Sequence, residues 1–164
     1  MKTLKNIVSQ LHTFVLWLLA SAIFWGWIFT FVTDTSPDKK ITVYCHVPAV
    51  EDVALAAALE KRMPEGLKMI KVHSFDYVMF NTESIELGDI FIIPASEIET
   101  FAEDLTPLGE EYGVKVYDVA TGEGIAANYI RYADEDFYLF LGAGSLHLED
   151  GKALQVAMEL LTLP

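Results

Sequence analysis

The chain has 164 residues, 52% of them apolar, and a formal net charge of −13. That acidity argues against a nucleic-acid or anionic-lipid surface, since both are held by basic patches. One cysteine, Cys45, leaves no internal disulfide.

Residues 1–10 carry Lys2 and Lys5 and read as a short cytoplasmic start. Leu11 to Val32, "LHTFVLWLLASAIFWGWIFTFV", has no charge after His12 until Asp34. Crossing a hydrocarbon layer takes roughly 20 apolar residues, so 11–32 is expected to be a transmembrane helix. Trp17, Trp25 and Trp27 all lie there, the last two near one end, where indoles favour the headgroup level. The rival is a cleaved signal peptide, with "ASA" at Ala20 to Ala22 as the cleavage site. The apolar run continues from Ile23 to Val32, which favours an uncleaved signal-anchor. Ala22 and Gly26 have the small-x-x-x-small spacing that permits close helix approach.

Basic residues tie across this segment, Lys2 and Lys5 against Lys39 and Lys40. The short start favours a cytoplasmic N-terminus, which puts everything from Thr33 outside. The segment 33–40, "TDTSPDKK", then reads as a linker and 41–164 as one extracytoplasmic domain. Beyond residue 33 there are 24 acids and 9 bases, a net of −15, which reads first as solubility outside the cell and otherwise favours cationic ligands or a basic partner.

Ile41 to Val47 alternates as a strand and Pro48 closes it; Cys45 inside it reads as an inert buried thiol. Val50 to Met63 is a helix with Glu51 and Asp52 in its first turn. Leu67 to His73 is a second strand, and Phe75 to Leu87 reads as a short helix and turn. Gly88 to Pro94 is a third strand. Ser96 to Glu103 follows as a short helix with the capping-box pair Ser96 and Glu99. Helices between these strands imply parallel pairing. Val114 to Ala120, Ile125 to Tyr132 and Phe137 to Leu141 are strand-like, and the short separators "TGEG" and "ADED" favour antiparallel neighbours. A last helix spans Lys152 to Leu161. The expected fold class is α/β, a three-layer sandwich with a mixed, partly parallel sheet, preceded by one transmembrane helix.

Ligands of open parallel sheets gather beyond the carboxyl ends of the strands. Three loops are therefore expected to converge: His46, Val47, Pro48 and Ala49 after the first strand, Ala95 and Ser96 after the third, and Gly144 and Ser145 after the last. Ser96 has a competing role as a helix cap. Catalytic signatures are weak. "GEGIAA", Gly122 to Ala127, fits a dinucleotide fingerprint but leads into "NYIRY" rather than a helix. "GAGSLH" holds Ser145 and His147 without a nucleophile elbow. The histidines lack the spacing of a zinc helix and "DED", Asp134 to Asp136, lacks that of a calcium loop; joint ligation by His46 and His147 is a minor alternative. No cofactor, metal or enzymatic activity is expected.

The segment "KKITVYCHVPAVEDVALAAALEKRMPEGLKMIKVHS" resembles the opening lobe of the extracellular solute-binding proteins of ABC transporters. "GDIFIIPASEIETFAEDLTPL" looks like that family's aspartate-bearing strand, small-residue loop and helix, followed by an "L-x-P-L" crossover, here Leu105 to Leu108. "YLFLGAGSLHLEDGKALQVAMELL" is similar to its returning strand and following helix. Members have two lobes. Between Pro107 and Tyr138 this chain has about thirty residues, so the resemblance implies a single lobe. It implies binding of a small ligand or a protein at the three loops named above. The alternative is a non-binding accessory subunit of a membrane partner such as a permease.

Overall fold

The computed structural model describes residues 2–33, 35–74, 88–108 and 113–164. The expected helix and turn from Phe75 to Leu87 lie outside the described residues. The chain divides into two units, Met1–Thr35 and Ser36–Pro164.

The first unit is one helix, α1, Lys2–Thr33. Its stretch Leu11–Phe29 has a mean hydropathy of 1.7 and none of it is buried, so it is long and apolar enough to cross a membrane. Trp17 is 73% exposed, Trp25 63% and Trp27 66%, so its large side chains pack on no core.

The second unit is an α/β domain around a mixed sheet. Its strands are β1 (Lys40–Cys45), β2 (Ala49–Val50), β3 (Met69–Ser74), β4 (Ile90–Pro94), β5 (Leu105–Thr106), β6 (Val114–Asp118), β7 (Glu123–Gly124), β8 (Ile130–Arg131) and β9 (Phe137–Gly142). Its α-helices are α2 (Asp52–Glu60) and α3 (Lys152–Leu161). The main sheet runs β3-β1-β4-β9-β6-β7, with β5 also on β9; β2 and β8 form a separate pair. β1 is parallel to β3 and β4, and β9 is antiparallel to β4, β5 and β6.

The central strands are apolar because both of their faces are covered. In β4, Ile90 and Ile92 point into one core and Phe91 and Ile93 into the other. The larger core takes Leu55 and Leu59 of α2 and Ala153, Val156, Ala157 and Leu160 of α3. The opposite face is covered by Phe101, Leu105 and Ile98. Both described helices of this unit therefore serve one face, and a turn segment serves the other.

Two expected elements differ. Ser96 to Glu103 is not an α-helix: Ala95–Glu97 is a single 3₁₀ turn, and later turns close by Thr100 N–H to Glu97 O (3.0 Å) and Asp104 N–H to Phe101 O (2.9 Å). Ser96 does not cap it through its side chain. Seating Ile98, Phe101 and Leu105 on the sheet outweighs the local capping pattern. Ile125 to Tyr132 is not one strand. Ala126 has a positive φ of 49°, its N–H donates to Leu163 O (3.0 Å), and Tyr129 and Ile130 N–H both fold back onto its carbonyl (2.8 and 2.9 Å). Only Ile130–Arg131 remains extended, paired with β2.

The expected linker is partly docked. Pro37–Lys39 is a 3₁₀ turn, and Lys68 N–H donates to Lys39 O (2.8 Å).

Candidate functional site

The three loops do not converge. β9 is antiparallel to β4, with Ile90 opposite Leu141 and Pro94 opposite Phe137. Its exit loop therefore opens where the parallel strands begin. His46 to Ala49, Ala95 and Ser96 sit at the carboxyl end; Gly144 and Ser145 sit at the amino end. The "ADED" loop lies at the carboxyl end of β4, where Ala95 N–H reaches Asp136 O, so β9 starts there and its far loop lies at the other end of the sheet.

At the amino end, Ser145 closes a buried polar cluster. Asp89, 3% exposed, precedes β4. Its Oδ2 accepts from Thr42 N–H (2.7 Å), its Oδ1 accepts from the Ser145 hydroxyl, and its carbonyl accepts from Gly142 N–H (2.9 Å). Burial raises the Asp89 carboxyl above its usual range, against the lowering by Ser145 and Thr42. His147, 2% exposed, donates its backbone N–H to the Ser145 oxygen (3.0 Å). The His147 ring faces Asp150 Oδ2 at 3.2 Å and Pro37 O at 3.3 Å, not the Ser145 hydroxyl. With its hydroxyl donating to Asp89 and its oxygen accepting from the His147 amide, Ser145 ties the loop after β9 to the start of β4. His46 and His147 lie at opposite ends of the sheet, so they do not share a metal. Among the described residues no three metal-ligating groups cluster.

At the carboxyl end, the residues around His46 face the "ADED" loop. His46 N–H donates to Ile92 O (2.8 Å) and Ala95 N–H to Asp136 O (2.9 Å). Ser96 N–H donates to the Glu135 carboxylate (3.2 Å). The amides of His46, Ala95 and Ser96 are thus filled from within. Burial holds the His46 imidazole below its usual range, against the opposing pull of Glu97 and Glu135. Val47 is buried in the larger core, so its side chain leaves the rim; Pro48 and Ala49 stay exposed.

Ala49 leads to a feature absent from the sequence reading. A groove of about 320 Å³ lies along the β2–β8 pair, lined by Ala49–Glu51 and Ala127–Arg131. Its charged members are Glu51 and Arg131, with the Asn128 amide beside them. Reading 125–132 as one strand of the main sheet hid Arg131 and Asn128. The usable signal was Asn128, a turn-forming residue in the middle of that run.

Comparison of this chain with family models, with curated proteins and with solved structures gives no match.

Proposed function

We propose that this chain is a single-pass membrane protein that displays its acidic α/β domain outside the cytoplasm and uses it to recognise a small ligand or a protein. One observation carries the reading: the apolar stretch Leu11–Phe29, none of it buried, whose tryptophans have no core to enter. A bilayer supplies the missing apolar surroundings, and a helix satisfies its own backbone there. The order of elements from Lys39 to Leu161 resembles one lobe of a solute-binding protein, which supports recognition rather than catalysis. So does the His147 ring, which faces Asp150 and Pro37 rather than the Ser145 hydroxyl.

A second reading, an accessory subunit of a membrane partner such as a permease, is favoured by the filled amides of Ala95 and Ser96. In that reading the domain contacts protein, and the strand ends are closed by its own carboxylates.

Labelling tests the topology. Cys45 is buried, with its thiol pushed up to about 12 by burial, so it reacts poorly. Glu65 is exposed, and Glu65→Cys therefore reports alone. A membrane-impermeant maleimide should label that variant on intact cells. Labelling only after lysis overturns the orientation.

A further inference from the structure

We infer that the groove between β2 and β8 takes a small zwitterion, with its carboxylate on Arg131 and its ammonium on Glu51. This deepens the reading of the domain as a binding unit and rests on it.

Register sets the two charges. Ala49 lies opposite Arg131 and Val50 opposite Ile130, and Glu51 N–H donates to Tyr129 O at 2.8 Å. β2 ends at Val50, and Glu51, the next residue, lines the groove together with Arg131. Two residues on from Ala49, Glu51 stands diagonal to Arg131, a spacing of roughly 7–8 Å with the Cβ atoms somewhat closer. Ala49, with one methyl, is the residue directly across from the guanidinium, which leaves the floor between the charges low.

Neither charge is used by another described residue. Arg62, Lys115 and Lys152 each reach a carboxylate, at 3.2, 2.6 and 2.7 Å. Arg131 is exposed and has no ion pair among the described residues, in a part of the chain with 24 acids and 9 bases. Glu51 has none either, so the two opposite charges stand apart rather than closing on each other. A guanidinium fork matches a carboxylate in two parallel hydrogen bonds. The Asn128 amide beside it offers one further donor and one acceptor.

Charge then selects the ligand. A simple carboxylate is repelled by Glu51 and by the acidic field around it. A simple ammonium meets Arg131. A molecule carrying both groups a few ångströms apart satisfies both and is repelled by neither. At about 320 Å³ the groove stands at the small end of ligand sites, which run from roughly 300 to 1,000 Å³. That size fits an amino acid or a dipeptide.

Isothermal titration of the full chain in detergent micelles tests this with three probes: L-alanine, L-alanyl-L-alanine and propionate. At least one zwitterion should bind saturably, roughly tenfold or more tighter than propionate. The tighter of the two zwitterions names the source, free amino acid or peptide. Arg131→Gln, at an exposed position, should weaken that binding roughly tenfold or more. Glu51→Gln should narrow the gap between zwitterion and propionate. No saturable heat from either zwitterion, or unchanged affinity in Arg131→Gln, overturns the inference. Zwitterion binding by a chain that turns out not to be membrane-bound would sink the tethering and leave this site standing. Confirmed tethering without zwitterion binding would sink this site alone.

Discussion

Asp89 shows how much one residue can organise. It stands immediately before the most apolar strand of the chain, and it ties β1, the end of β9 and the loop after β9 to β4 by four hydrogen bonds. Burial holds its carboxyl above the usual range, so it binds its proton more tightly in the folded chain than in the unfolded one. Such a group contributes stability that is full below the unfolded value and is lost as pH rises through the folded one. Asp89→Asn removes that titration while keeping an acceptor for Thr42. Urea unfolding of both proteins between about pH 4 and about pH 7 checks the sign. The unfolding free energy of the variant, relative to the parent, should rise across that window; a flat or falling difference contradicts the account. An acid before "IFII" was visible in the sequence. Its partner Ser145, 56 residues away, was not, because the pairing depends on which way β9 runs.

Among the elements, periodicity served wherever burial alone sets the pattern. The run "IFII" is apolar on both faces and became a central strand, and the apolar spacing of Lys152 to Leu161 became α3 with those bounds. Local rules failed where tertiary contacts replaced them. The capping pair Ser96 and Glu99 lost to Phe101 and Leu105 seating on the sheet, and the β-formers of 125–132 were folded into a turn at Ala126. Strand direction was the other loss: nothing in Phe137 to Leu141 itself says whether it runs with β4 or against it. The crossing of β9 and the residues before β4 supplies a test at this scale. A Cβ on Gly142 would stand 1.9 Å from Gly88 O and 2.9 Å from a Phe91 ring carbon. The carbonyl cannot yield without moving the backbone, so Gly142→Ala should destabilise the domain by about 3 kcal/mol, measured by the urea midpoint. A variant as stable as the parent would mean that the two chain segments do not approach as described.

For the whole molecule, the sequence marks the apolar helix and the acidic domain plainly, because each depends on composition rather than on pairing. The candidate site was legible only in part. His46, Ala49, Ala95 and Ser96 do share the carboxyl end of the sheet, but Gly144 and Ser145 belong to the other end. The groove instead recruits Arg131 from a segment whose turn could not be read locally. What unites these features in the proposed function is the tether, since it fixes where the acidic domain meets its ligand or partner. Alkaline carbonate extraction of membranes, followed by mass measurement of the chain, tests it most directly. The expected result is an intact chain, first 32 residues included, that stays in the membrane pellet. Recovery in the soluble fraction, or of a chain shortened by its apolar segment, would contradict it.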